Sequence, residues 1–347
     1  MAYTTINKST DYFNTKLYTG NGSTQSITGV GFQPDWTWTK SRTNGEHHSL
    51  YDVVRGVTKP LFTNLSYGEG SANDTLTSFD TDGFSIGNNA YINENSQNYV
   101  SWNWLADNTS GSSNTDGSIT STVSANTTSG FSIVTYTGTG SATTVGHGLG
   151  IAPAFIIVKC FNTGSTNWQV YSKALDADKF LEFNSTTAEL SQGTYNMFNS
   201  TRPTSTVFSI GTHNNTNGSG NSYVAYCFAE KTGYSKFGSY IGNGTNDGTF
   251  VYTGFKPVFL LIKNKGTTEN WNIWDNKRDT YNAVESRLYP NTTGTESTSD
   301  SNDFDFLSNG FKVRNNGGNQ GASGNTYIYM AFGQSLVGSN NIPCTAR

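Results

Sequence analysis

The sequence predicts an all-β protein built from three tandem β-sandwich modules of jelly-roll or lectin-like type. The first observation is a phrase, residues 254–263, in which a turn leads to a proline, an apolar run and a lysine, and which recurs twice earlier. The second is composition: aromatic residues reach 14%, charged residues only 13%, and Gly is abundant, which is typical of thin, two-layered sheets. The third is the lack of any helical periodicity of useful length.

The repeated phrase sets the number of modules. Its prolines lie 119 and 104 residues apart, and in each copy the lysine follows its proline by six residues. A period of this length is that of a whole domain rather than one turn of a solenoid. We therefore predict module 1 with an N-terminal arm at 1–108, module 2 at 117–232 and module 3 at 233–347. The polar stretch 107–117 is predicted to be a linker.

Each module repeats the same series of strands. An opening strand ends in a Gly-x-Gly turn, the proline-to-lysine strand and an aromatic strand follow, and a third strand leads through an Asn/Gly/Ser loop to a closing strand. The opening phrases are 17–22, 135–140 and 239–244; the third strands are 83–86, 207–210 and 310–313; the closing strands are 99–104, 223–228 and 327–332.

Strand parity predicts which side chains are buried, because successive side chains point to opposite faces. The side chains on one face of every closing strand are large and apolar, so we predict that this face packs inward. The same holds for the second and fourth residues after each proline. In modules 2 and 3 the proline-to-lysine strand is apolar on both faces and is predicted to be covered on both sides. The closing-strand positions are Val100, Trp102 and Trp104, then Val224, Tyr226 and Phe228, then Ile328, Met330 and Phe332.

The lysine is the clearest repeated polar feature. It shares parity with the inward residues, so we expect its stem along the core edge and its ammonium group reaching outward. Asp52 and Asp275 are expected to pair with Lys40 and Lys263, a structural role that we favour over a ligand contact. The middle copy has Ser172 at the aspartate position and lacks the arginine that follows the aspartate in modules 1 and 3.

Charge and cysteine content exclude several classes of protein. The net charge is −4 without a basic cluster, which argues against nucleic-acid binding. No apolar segment of spanning length occurs, so we expect no membrane insertion, and the first residues lack the apolar core of a signal peptide. Cys160, Cys227 and Cys344 are odd in number at unrelated spacings and are expected to be small, half-buried thiols.

We predict no metal, no cofactor and no enzyme activity. The histidines and cysteines do not have the spacing of a zinc site, and no nucleophile motif occurs. The segment Asp80-Thr-Asp82-Gly83 resembles the start of a calcium loop, but residue 91 is Tyr where that loop needs Glu, so we predict a turn. A carboxylate pair for glycoside hydrolysis remains open, because such partners converge only in three dimensions.

Exposed aromatic side chains on the Asn/Gly/Ser-rich loops are the predicted binding residues. Tyr67, Tyr91 and Tyr195 are the candidates, because an aromatic face can stack on the apolar patch of a sugar or a protein.

The combined phrases resemble a repeat family found in structural proteins of tailed phages, especially marine phages. The resemblance implies a component on the outside of the virion and carries no catalytic residues. Module 3 departs most from the pattern, and module 2 lacks the Asp–Arg element. The phrases that carry the resemblance are 11–22, 31–36, 50–56, 78–84 and 145–150.

From this resemblance we expect a tail-fibre or receptor-binding adhesin, assembled in the host cytoplasm as a homotrimer and exposed on the virion surface. Its expected partners are other virion proteins and a glycan or protein of the host surface. The alternatives are a capsid decoration protein or head fibre and, as a third possibility, a polysaccharide depolymerase. If the N-terminal arm anchors the chain, module 3 is expected to be the exposed tip.

Overall fold

A computed structural model describes residues 3–298 and 303–337, and it confirms the all-β prediction. Strands and helices are numbered in chain order. Module 1 contains β1 (Phe13–Thr19), β2 (Gln25–Thr28), β3 (Trp36–Ser41), β4 (Ser49–Asp52), β5 (Gly56–Phe62), β6 (Leu76–Asp80), β7 (Gly83–Ile86), α1 (Ala90–Asn93) and β8 (Asn98–Trp104). A short 3-10 turn, Ser9–Asp11, precedes β1.

Modules 2 and 3 repeat this series with some elements added and others missing. Module 2 contains β9 (Ser112–Asn114), β10 (Ser121–Asn126), β11 (Phe131–Thr137), β12 (Thr143–Gly146), β13 (Phe155–Cys160), β14 (Gln169–Ser172), β15 (Lys179–Glu182), β16 (Leu190–Ser191), α2 (Gln192–Tyr195), β17 (Val207–Ile210), α3 (Asn214–Asn217) and β18 (Ser222–Phe228). Module 3 contains β19 (Ser235–Ile241), β20 (Phe250–Tyr252), β21 (Lys256–Asn264), β22 (Trp271–Asp275), β23 (Ser286–Arg287), β24 (Ser297–Thr298), β25 (Phe304–Leu307), β26 (Gly310–Val313) and β27 (Thr326–Gln334).

Every module has a large inner sheet and a small outer sheet. The inner sheets have the orders β1-β8-β3-β4-β5, β16-β15-β14-β13-β18-β11-β10-β9 and β19-β27-β21-β22. The outer sheets are β2-β7-β6, β12-β17 and β20-β26-β25. In module 1 the first strand pairs with the last and the second with the next to last, the nested wrapping of a jelly roll.

Strand register is the same in all three modules. The residue two after each proline lies opposite the last inward residue of the closing strand and opposite the aspartate position: Trp36 faces Trp104 and Asp52, Phe155 faces Phe228 and Ser172, and Phe259 faces Phe332 and Asp275. We call this end of the inner sheets the Asp end, and the opposite end, where Lys40, Lys159 and Lys263 lie, the Lys end.

Both faces of each inner sheet are buried, but against different partners. One face packs on the outer sheet of its own module and forms three separate clusters, which include Phe84, Phe208 and Phe311. The other face joins one cluster shared by all three modules. The coverage predicted for modules 2 and 3 is confirmed, and the Thr37 and Thr39 face of β3 in module 1 is buried as well.

The shared cluster contains every inward position predicted from parity. At its Asp end the rings of Trp104, Phe228 and Phe332 meet, with centroid distances of 6.3, 6.0 and 5.7 Å between the three pairs. The inward prediction is therefore confirmed, but the partners of these side chains belong to the neighbouring modules rather than to the module's own second sheet.

The modules form a closed ring, since the same contact recurs at all three interfaces. The amide nitrogen of Glu69 donates to the carbonyl oxygen of Phe161 (2.7 Å), that of Glu189 to Lys265 (2.8 Å) and that of Glu296 to Arg42 (2.8 Å). These bonds join module 1 to 2, module 2 to 3 and module 3 back to 1. The expectation of a base-to-tip order with module 3 at the tip was wrong, because the shared core places the three modules side by side.

Buried aspartates reinforce two of the three interfaces. Asp52 accepts a hydrogen bond from the Tyr226 hydroxyl of module 2 (2.8 Å), and Asp275 accepts one from Trp102 Nε1 of module 1 (3.0 Å). At the third interface the two equivalent positions are Ser172 and Met330. Met330 has no donor to offer, so the loss of the carboxylate in module 2 coincides with the loss of its partner in module 3.

The expected arm and linker are both ordered. The Ser9 amide donates to Gln334 Oε1 (2.7 Å) and the Tyr3 hydroxyl to the Gly254 carbonyl (2.9 Å), so the arm packs on module 3. Within the expected linker 107–117, β9 extends the inner sheet of module 2. The described chain therefore begins and ends at the Asp end.

We predict that replacing Asp275 by Ala lowers the free energy of unfolding by about 3–5 kcal/mol. The change removes the nearest carboxylate of Arg278, whose Nε lies 2.6 Å from Asp275 Oδ2 in a pair with both side chains fully buried, and it leaves this buried charge with one carboxylate, Glu296, 3.1 Å from Nη1. It also removes the acceptor of the buried Trp102 Nε1. The matched change Ser172→Ala removes one hydroxyl that accepts from the Ala174 amide (3.2 Å) and should cost about 1 kcal/mol or less. Urea denaturation measures both values, and equal costs would contradict this account of the interfaces.

Candidate binding cleft between modules 1 and 2

The three repeated lysines are fully buried and bind backbone oxygens. Lys159 Nζ donates to the Ser66 carbonyl of module 1 (2.8 Å) and to the carbonyl and hydroxyl of Thr166. Lys263 Nζ donates to the Thr186 carbonyl of module 2 (3.0 Å) and to two carbonyls of its own module. Lys40 Nζ donates to the carbonyls of Ser41 (2.7 Å) and Asn44 (3.1 Å). The expectation that the ammonium groups reach outward was wrong.

The predicted pairing of Asp52 and Asp275 with lysines was also wrong. The register of β3 and β4 places Asp52 opposite Trp36, four residues before Lys40 and at the other end of the sheet. Each aspartate instead pairs with the arginine three residues later, Arg55 or Arg278, with an Nε–Oδ2 distance of 2.6 Å. Burial opposes the guanidinium charge of Arg278, but Asp275 and Glu296 more than offset this and raise its pKa.

A loop at the Lys end of each module leads to a glutamate at the next interface. Glu69, Glu189 and Glu296 occupy equivalent positions, because each donates its amide to the residue two after a lysine in the neighbouring module. The loops read Ser66-Tyr-Gly-Glu, Thr186-Thr-Ala-Glu and Thr293-Gly-Thr-Glu. Lysines hold two of these loops: Lys159 binds the carbonyl of the residue before Tyr67, and Lys263 that of the residue before Thr187.

Two interfaces close this region with an ion pair. Lys265 Nζ lies 3.1 Å from Glu189 Oε2. Arg42 binds Glu296 through two nitrogens, at 2.6 and 2.9 Å. Both basic residues follow the repeated lysine of their module by two positions.

The interface between modules 1 and 2 departs from this pattern. Phe161 stands at the position of Arg42 and Lys265, so Glu69 has no cation across the interface. It keeps the pair with the arginine of its own module, Arg55 Nη1 to Oε2 at 3.1 Å, which Glu296 also makes with Arg278. Tyr67 stands where the other loops have Thr187 and Gly294. Aromatic side chains thus replace a polar pair at this interface.

A cleft of about 480 Å³ opens at this interface. Tyr67 is 64% exposed, and the half-buried Phe62 and Phe161 form apolar walls. The two loops approach closely at Gly68, since a Cβ there would lie 2.7 Å from the Phe161 carbonyl oxygen, whereas the equivalent positions are Ala188 and Thr295. The lining residues are Phe62, Tyr67, Gly68, Glu69, Gly70, Phe161, Asn162, Thr163 and Gly164.

Of the three predicted binding residues, Tyr67 lines the cleft and Tyr91 lies behind one of its walls. Tyr91 packs edge-on against Phe62, with ring centroids 5.2 Å apart, and against His47 at 5.7 Å. Phe62 therefore connects Tyr91 to the cleft that Tyr67 lines. Tyr195 lies elsewhere, in module 2, where it is 40% exposed and packs against Phe180 and His213.

The Asn/Gly/Ser loops beside the cleft are fixed by tyrosines rather than free. In module 1 the Tyr99 hydroxyl donates to the Ala90 carbonyl and accepts from the Glu94 amide, both at 2.8 Å, and its ring stacks on Tyr18 at 5.1 Å. The pairs Tyr136–Tyr223 and Tyr240–Tyr327 repeat this stacking at 5.2 and 5.0 Å. The Lys end is therefore a rigid platform at which the cleft is already open.

Other kinds of site find little support in the described residues. Across 3–298 and 303–337 no cluster of three or more His, Cys, Asp or Glu side chains could hold a metal ion, and no helix there is long and apolar enough to cross a membrane. The predicted turn joins β6 to β7 at residues 81 and 82, and Asp82 accepts the amides of Gly29 (3.0 Å) and Gly31 (2.7 Å) from the loop after β2. Cys160 and Cys227 are buried free thiols, and Cys344 lies outside the described residues.

Comparison with known proteins identifies a family whose description names no function. The model of a domain of unknown function, DUF7483, matches residues 8–335. The chain belongs to this family. One family model spans all three modules, which agrees with a ring that shares a single core. No curated protein and no solved structure matches the chain.

We predict that Lys159 makes the stability of the protein depend on pH. Burial lowers the pKa of Lys159 to about 7, whereas an unfolded lysine titrates near 10.4. Between these values the unfolded chain binds more protons, so the free energy of unfolding contributed by this residue rises with pH. The difference between the wild type and Lys159→Met, measured by urea denaturation, should therefore increase from about pH 7 to about pH 9.

The control for this series is Lys173→Met, which removes a surface lysine paired with Glu230 and should give a difference with little dependence on pH. A pH-independent difference for Lys159→Met would show that its ammonium group titrates normally in the folded protein.

Proposed function

We propose that this protein is a surface-exposed structural component of a tailed-phage virion and acts as a tail-fibre or receptor-binding adhesin. The phage assignment comes from the repeat phrases described above. The observation that carries the adhesin role is the Lys end of the ring. It presents fixed loops from all three modules and the interface at which aromatic side chains replace an ion pair.

This arrangement suits recognition of a host surface by the Lys end. A rigid platform loses little conformational entropy when it binds, so its contacts contribute more fully to affinity. The aromatic faces predicted to pack inward are buried within a single chain, so a homotrimer is not needed to cover them. The homotrimer stays a prediction, together with contacts to other virion proteins.

A capsid decoration protein or head fibre is the second candidate. The observation that favours it is the pseudo-threefold ring itself, because a closed ring with three equivalent interfaces matches the threefold positions of a capsid lattice. A depolymerase receives less support. Among the described residues that line the cleft, Glu69 is the one carboxylate and it is paired with Arg55, whereas glycoside hydrolysis usually needs two.

Cryo-electron microscopy of the intact particle separates the two structural roles. We expect density for the ring at the tail, with its Lys end pointing away from the particle. Density on the capsid lattice would overturn the adhesin role and support decoration.

The adhesin role further predicts that fluorescently labelled protein binds host cells in the absence of the phage and slows adsorption of the phage. Incubation with purified host capsule or lipopolysaccharide should release no oligosaccharides. Failure of the labelled protein to bind susceptible cells would contradict the adhesin role, and released oligosaccharides would contradict the non-enzymatic one.

A further inference from the structure

The three interfaces of the ring act as internal controls for one another. At the Lys end they have the same backbone bond, a buried lysine and a glutamate at the same position. Stability explains these shared features and does not explain why one interface has aromatic side chains in place of an ion pair. At the interface between modules 1 and 2 this change leaves an open cleft that is lined by aromatic and polar groups.

The shape and lining of this cleft resemble those of a small-molecule site. Its volume of about 480 Å³ lies within the usual range for ligand pockets, which often form between domains. The exposed ring of Tyr67 offers a flat apolar face, and Phe62 and Phe161 add apolar walls. Among the described residues, the Tyr67 hydroxyl and the Asn162 amide nitrogen have no hydrogen-bond partner, since Asn162 uses its Oδ1 to accept the Ser222 amide (2.8 Å).

Such a lining matches the surface of a pyranose ring. A pyranose has an apolar face of C–H groups that stacks on an aromatic ring, and hydroxyl groups around its edge that need donors and acceptors. Tyr67 and Asn162 supply donors at the rim. Glu69 supplies acceptor capacity, because only its Oε2 accepts a described hydrogen bond, from Arg55.

The charge of the interface narrows the class of saccharide. Phe161 replaces a cation, so the Lys end of this interface has one basic residue of the repeat where each of the other two interfaces has two. None of the described residues that line the cleft is Lys or Arg, so the carboxylate of an anionic sugar would find no cationic partner there and would lie near Glu69. A neutral sugar or an amino sugar is compatible with Glu69, the one charged side chain among the described residues that line the cleft.

We propose that the cleft between modules 1 and 2 is a saccharide-binding site for a neutral hexose or an amino sugar, with Tyr67 as the stacking residue. The existence of the site rests on the geometry of the cleft. Only the source of the sugar, a glycan of the host surface, rests on the proposed adhesin role.

Saturation-transfer NMR on the whole chain tests the site. The probes are methyl glucoside, methyl galactoside, methyl mannoside, N-acetylglucosamine, glucosamine and glucuronate at millimolar concentration. We expect saturation transfer to at least one neutral or amino sugar and none to glucuronate. Silence of all the neutral and amino sugars, or preferential binding of glucuronate, would overturn the proposal.

Two variants and two controls locate the binding. Tyr67→Ala should weaken binding roughly tenfold by removing the stacking face. Phe161→Lys should abolish it, because the new ammonium group can pair with Glu69 as Lys265 pairs with Glu189, and its unchanged or raised melting temperature would show that the fold is intact. Thr187→Ala, at the equivalent loop position, and Tyr195→Ala, an exposed aromatic outside the cleft, should bind as the wild type does. Equal binding by Tyr67→Ala, Phe161→Lys and the wild type would overturn the assignment.

The same proteins applied to host cells separate this site from the adhesin role. Loss of cell binding in Tyr67→Ala and Phe161→Lys would support both. Sugar binding without any cell binding would leave the site standing and overturn the adhesin role. Cell binding that is equal in the wild type and both variants would keep the adhesin role and overturn the cleft as its receptor site.

Discussion

The contact of Trp104, Phe228 and Phe332 is the interaction on which the rest of the structure depends. Each ring ends the inward face of a closing strand, and each comes from a different module. Because both faces of every inner sheet are buried, a module alone would cover one face with its outer sheet and leave the other, which is apolar in all three modules, in water. An exposed face of that size favours association. In this chain the face of each module is covered by the equivalent faces of the other two modules.

Closure of the ring accounts for much of the remaining structure. Three sheets that share one core in the same register have their Lys ends on one side, so the loops that end in Glu69, Glu189 and Glu296 all meet a neighbour there. Equivalent interfaces then need equivalent contacts, which the backbone bonds supply at all three interfaces and the buried lysines at two of them. Where one interface lacks a contact, as at Ser172 and Met330, both partners have changed together.

The sequence predicted which way the side chains of a strand point better than it predicted which residues they contact. Parity identified the inward positions, including Trp104 and Phe332, because alternation along a strand depends only on the backbone. It could not show that the facing residues belong to another module, since a tandem repeat permits both a linear array and a ring. The Lys40–Asp52 pairing failed for a related reason: linear spacing does not give the register between strands, and the register puts the two residues at opposite ends. Tyr67 was predicted to line a binding site, but Phe161 was missed, although Arg, Phe and Lys at the position two after each lysine already differed in the sequence.

The central claim is that the three modules unfold as one unit because they share one core. Differential scanning calorimetry tests this most directly. The account predicts a single transition whose calorimetric and van't Hoff enthalpies agree, at about 240 kcal/mol if each of the 347 residues contributes about 0.7 kcal/mol. Two or three separable transitions, or a van't Hoff enthalpy near one third of the calorimetric value, would show that the modules fold independently and would contradict it.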